Sequence, residues 1–170
     1  MSLALAFVAA LSGVEPAFPA QRDHSLAELV RVACVDTGLR REVVERTARA
    51  NRWNAARITR QTSEQGWSLA YRVDAASIIV SNIPVAGDAD PSQASFCTVS
   101  IANPPSDWMA DVEQLAFDLG LVAESAGELS GPAEMHVWSK LGAQTLTAAY
   151  QFSNRTVAVT LSRQVVTSSQ

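Results

Sequence analysis

His136 and Glu134 stand two residues apart in a stretch whose side chains alternate, a spacing that puts both on one face of a β-strand. A carboxylate beside an imidazole orients the ring and favours a positive charge on it, which is the arrangement of a general base. Such a base needs a nucleophile or a bound substrate, and the many Ser and Thr residues have no spacing that selects one. A small hydrolase or transferase using His136 with Glu134 is therefore one expectation, and a strand histidine on the solvent side is the plainer one. Trp138 shares their face. The second histidine, His24, lies just before a helix start and reads as solvated.

A second group is defined by charge. Arg40, Arg41, Arg46, Arg49, Arg52, Arg57 and Arg60 lie within twenty-one residues, against Glu42 and Glu45 alone. Guanidinium groups make paired hydrogen bonds to carboxylates and phosphates. Helical spacing places Arg41, Arg49 and Arg52 with Glu45 on one exposed face, and Arg57 and Arg60 follow on the next segment, so these five arginines form a candidate surface for an anionic partner. The plainer reading is a solvated helix supported by four-residue pairs: Arg41 with Glu45, Glu42 with Arg46, Glu45 with Arg49. Nucleic acid is not expected as the partner, since Trp53 alone is no stacking platform.

Asp88 and Asp90 offer two carboxylates to a hard cation, but a calcium loop requires several more oxygen ligands, and a turn explains them. Asn154-Arg155-Thr156 has the form of a glycosylation triplet and also of a hairpin turn. Phosphate-binding glycine loops, nucleophile elbows and clustered metal-ligand spacings are absent from the sequence. No metal or cofactor is expected.

The elements that must position these residues follow from length and pattern. At 170 residues, 48% hydrophobic and 18% charged, the chain has the composition of one folded domain. Residues 3–11 form an unbroken apolar run, followed by Ser12, Gly13, Pro16 and Pro19. Residues 1–20 thus read as a signal peptide, with a packed N-terminal helix as the alternative, and residues 21–170 read as the mature domain, without a transmembrane span. Removal of residues 1–20 takes away Glu15 alone among the charges and leaves thirteen Lys and Arg against sixteen Asp and Glu, a net charge of −3. The arginine-rich segment carries +5 of that and the rest −8.

Cys34 and Cys97 are the only cysteines. In an exported chain two cysteines are expected to pair, and alternation in residues 95–102 turns Cys97 inward with Val99 and Ile101. Cys34 falls on the apolar stripe Leu26, Leu29, Val30, Ala33, Cys34 of a helix opened by Ser25 and Glu28 in capping-box spacing and closed by Gly38. The expected bridge therefore ties helix to sheet.

A second helix covers residues 39–51, with Leu39, Val43, Thr47 and Ala50 able to face inward. From Asn54 the pattern switches to alternation, begun by Ala56, Ile58 and Arg60, and strands follow over 67–73, over 77–83 and over 95–102, with residues 84–94 as a loop. Pro104-Pro105 precedes a third helix whose stripe is Trp108, Val112, Leu115 and Leu119, ending at Gly120. Three last strands carry Met135 with Val137, Leu146 to Phe152, and Val157 to Leu161. The order ααββββαβββ predicts an α+β fold, an antiparallel sheet of about seven strands covered by about three helices. Helix and strands occur twice, without a residue-level repeat. The functional expectation is a non-enzymatic periplasmic or secreted domain that binds an acidic protein or an anionic envelope polymer. A structural accessory protein is a further possibility.

Overall fold

The structure is a computed structural model that describes residues 24–56, 66–85, 92–124, 133–140 and 144–165. Residues 1–20, Arg57, Arg60, Asp88 and Asp90 lie outside them, and with them the signal-peptide reading and two of the five candidate arginines.

Three helices and eight strands make one antiparallel α+β domain, as the pattern predicts. In chain order they are α1 (Leu26–Val30), α2 (Arg41–Ala50), β1 (Asn54–Ala55), β2 (Trp67–Val73), β3 (Ala76–Val85), β4 (Ser92–Ala102), α3 (Trp108–Asp118), β5 (Val122–Ala123), β6 (Ala133–Lys140), β7 (Gln144–Gln151) and β8 (Thr156–Val165). The eighth strand beyond the expected seven is β5, a two-residue pairing with β6 at Val122 and Ala123. Two residues carry no alternation to read. The first strand begins at Asn54, where the helical spacing gives way to alternation.

The sheet order is β1-β2-β3-β4-β8-β7-β6-β5. Each quartet of strands follows helical structure, and the two quartets meet where β4 lies antiparallel to β8. In connectivity the halves are related by a two-fold axis through that central pair, normal to the sheet. The suspected doubling is thus real in topology, and the side chains of the halves have not kept it.

One face of the sheet is covered. Across the register Val80, Cys97, Leu161 and Leu146 form one row and Ile78, Val99, Val159 and Ala148 the next, and all eight are fully buried. Leu26, Leu29 and Val30 of α1, Val44 and Ala48 of α2, and Val112, Leu115 and Ala116 of α3 close over them in a single apolar core.

The first helix does not run unbroken to Gly38. Ser25 caps α1 by accepting from the Glu28 amide at 3.1 Å, and after Val30 the chain widens into a π-helical turn, Arg31–Val35, in which the Asp36 amide reaches back to the Arg31 carbonyl at 2.9 Å. The turn carries Cys34, bonded to Cys97 with Cα atoms 5.5 Å apart. Thr37 ends it from a fully buried position: its hydroxyl donates to the Ala33 carbonyl at 2.7 Å and accepts from the Leu39 amide at 3.2 Å. That satisfies groups a helix end would otherwise leave without partners.

On α2 the buried residues are Val44 and Ala48, with Val43 and Thr47 at the margin and Ala50 exposed. The inward face is one residue out of phase with the expectation because Leu39, buried at φ +58°, belongs to the preceding turn and not to the helix stripe.

Candidate functional site

Two places gather polar chemistry, and they lie at different ends of the covered face. The first is α2 and its C-terminal turn. Arg40, Arg41, Arg46, Arg49 and Arg52 are all exposed. Arg52 holds a left-handed conformation, φ +56°, while the next amide, Trp53, bonds back to the Ala48 carbonyl at 2.9 Å. That pattern is a helix ending in which glycine is usual. The turn points the chain away from the helix and leaves the Arg52 side chain in solvent.

Of the three expected four-residue pairs, the described contacts include one, Arg41 Nε donating to Glu45 Oε1 at 3.0 Å. Glu45 is half-buried, so the row Arg41, Glu45, Arg49 runs along the flank of α2 beside the sheet and is not its outermost ridge. Beneath the row lies Tyr71 of β2, buried and packed on Trp53 with ring centroids 5.9 Å apart. Burial holds its phenol above the usual value of 10.0, Glu45 pushes it further up, and Arg49 and Arg41 partly offset both.

The second place is the β6–β7 end. Glu134 Oε1 and His136 Nε2 are 2.7 Å apart, as their strand spacing predicts. His136 stacks on Trp138 at 6.0 Å and 20°, and Trp138 is buried in the core. The expected alternation is therefore inverted: Trp138 and His136 lie on the helix-covered face, and Met135 with Val137 take the opposite one. His136 stays accessible, its side chain 31% exposed. Trp138 outweighs two smaller apolar residues in deciding which face turns inward.

Alongside, Tyr150 stacks on Trp108 of α3 at 6.0 Å and meets Phe152 edge-on at 5.0 Å. The neighbouring strands present Gln144, Leu146, Ala148, Tyr150, Val157, Val159, Leu161 and Arg163 on this face. None is Ser, Thr or Cys. The Ser and Thr hydroxyls of β7 and β8 stand on the other side of the sheet, so neither of these neighbouring strands brings an aliphatic hydroxyl beside His136. The ring cluster at Trp108, Tyr150 and Phe152 was not singled out by sequence pattern, because these residues belong to different elements.

Comparison with known proteins adds no relative: no family model, no curated protein and no solved structure matches this chain.

The remaining features are small. A shallow cleft of about 240 Å³ between α1 and α3 is bordered by Glu28, Arg31, Asp111 and Gln114, below the size of ordinary ligand cavities, about 300–1,000 Å³. Among the described residues no three His, Cys, Asp or Glu side chains converge as metal ligands, and no helix is long and apolar enough to cross a membrane.

Proposed function

We propose that this chain is an exported, disulfide-stabilised domain that binds an acidic protein or an anionic envelope polymer through the arginines of α2. The observation that carries the reading is the exposure of Arg40, Arg41, Arg46, Arg49 and Arg52 on one short helix and its terminal turn. Guanidinium groups grouped on one helix can make paired, charge-assisted hydrogen bonds to several carboxylate or phosphate groups of one partner. Arg57 and Arg60 extend the same charge in sequence. Export is supported by the apolar run at residues 3–11 and by the Cys34–Cys97 bridge, since oxidising compartments preserve such bonds.

The test is a pull-down from envelope extract with the full chain, beside a folded variant carrying Arg41→Glu, Arg49→Glu and Arg52→Glu. An anionic partner retained by the first and lost by the second supports the reading. Equal capture by both baits refutes the surface.

The competing reading, a hydrolase or transferase using His136, has the 2.7 Å contact with Glu134 in its favour. Among the described residues of β7 and β8 no Ser, Thr or Cys shares the face of His136, so within them the nucleophile must arrive with the substrate or as water. Turnover of an ester or phosphoester that persists in His136→Ala would eliminate it.

A further inference from the structure

The helices occupy one face of the sheet, and among the described strand residues the other face is almost free of charge. Its middle row reads Ala70, Ile79, Thr98, Thr160, Thr147 and Val137 across six strands. Ser, Thr and Ala fill most of the rows on either side. Among the described strand residues Arg72 is the only charged side chain on this face. At the other margin Glu124, just past β5, accepts a hydrogen bond from Ser139. Ile79 is 47% exposed and Ile83 44% exposed in the absence of a partner.

A solvated sheet face in a chain with thirteen cationic and seventeen anionic residues would ordinarily carry a share of them. Among the described residues they stand, Arg72 and Glu124 apart, on the helices, in the turns and on the covered side of the sheet. Depletion of charge over a broad central patch, with charges at its rim, is how protein interfaces differ from other surface.

We propose that this face packs against the same face of a second copy, giving a two-fold dimer in which two sheets stack about 10 Å apart with the helices outside. The size fits. Four central strands at about 4.8 Å spacing and about 3.3 Å per residue present about 600 Å² per copy, so the pair buries about 1,200 Å², the low end for stable complexes. The outermost strands β1 and β5 are two residues long, and very short edge strands discourage edge pairing. An axis along the strands brings the Arg72 margin of one copy toward the Glu124 margin of the other. The hydroxyl ladder, with Thr98 and Thr160 joined at 2.9 Å, keeps the face soluble when monomeric, so the dimer is concentration-dependent.

Sedimentation equilibrium of the full chain over about 1–100 μM tests this. A mass rising from 18.1 kDa toward twice that value is expected. Thr160→Lys, which sets like charges against each other at the centre, should weaken the dimer at least about tenfold. Ile79→Lys, at an already exposed position, should do the same and carries the test if the first variant fails to fold. Phe117→Lys changes an apolar residue 78% exposed on α3 and should leave the dimer intact. A monomer at every concentration overturns the proposal, as does a dimer that survives Ile79→Lys or is lost with Phe117→Lys.

Discussion

Cys34, in the π-helical turn, and Cys97, in the middle of β4, bring their Cα atoms within 5.5 Å and join the helical layer to the centre of the sheet. Cys97 stands in register between Val80 and Leu161, so the bond is anchored where the core is most completely buried. The sequence separation is 63, and closing a loop of that length in the unfolded chain stabilises the fold by about 4 kcal/mol on the chain-entropy estimate. The double variant Cys34→Ala, Cys97→Ala should lose about that much in urea denaturation. A loss under about 1 kcal/mol would show that the bond closes a loop already restricted in the unfolded state. Denatured but unreduced protein should present no titratable thiol.

Leu161 tests the covered face directly. It is fully buried between Cys97 and Leu146, with α3 above the same core. Leu161→Ala should cost about 2–5 kcal/mol through lost burial and the cavity left behind. Thr160→Ala, one residue away on the open face, should cost much less. Equal losses would mean that both faces are packed alike.

The contrast between those neighbours also marks how far the sequence could be read. Strand β8 was legible because Val157, Val159 and Leu161 alternate with Thr156, Ala158, Thr160 and Ser162, and the Cys34–Cys97 bridge followed from two apolar patterns pointing at each other. On β6 the alternation failed to fix the phase, since Met135 and Val137 compete with Trp138 and the larger ring takes the core. The π-helical turn was hidden because its residues keep an ordinary helical stripe. In the candidate arginine surface the exposure of Arg41, Arg49 and Arg52 was legible from charge alone. The half-burial of Glu45 above Tyr71 was not, because it depends on how α2 rolls onto β2.

The contact between Arg31, at the start of the π-helical turn, and Asp118 of α3 crosses the helical layer at 2.5 Å. Gln114 and Arg31 both donate to the Asp118 carboxylate and hold it below its ordinary 3.8, Gln114 contributing more. A carboxyl whose folded value is depressed stabilises the fold above the unfolded value, and that contribution is lost as pH falls through the folded one. The urea midpoint should therefore drop between about pH 5 and about pH 2, and Asp118→Asn should flatten that part of the profile. The site is exposed, so the effect should shrink in high salt. An unchanged slope in the variant would assign the acid sensitivity to other carboxylates.

Tyr71 reports on the arginine row from below. Its phenol is raised above 10.0 by burial first and by Glu45 second, while Arg49 and then Arg41 pull it back. Phenolate absorbance should accordingly show a late rise above the usual value of 10.0, and Tyr71→Phe should abolish it. The signs of the neighbours are separable: Glu45→Gln should lower the late midpoint, and Arg49→Gln should raise it. Because the folded value is raised, stability is complete below the unfolded value and declines as pH climbs through the folded one. If Glu45→Gln left the late midpoint in place, Glu45 would be turned out to solvent, and Arg41 would then be unpaired and available to an anionic partner together with Arg49. A midpoint lowered by Glu45→Gln instead places the Arg41–Glu45 pair over Tyr71 in solution, so that a bound anion must compete with Glu45 for Arg41 and finds Arg49 and Arg52 first.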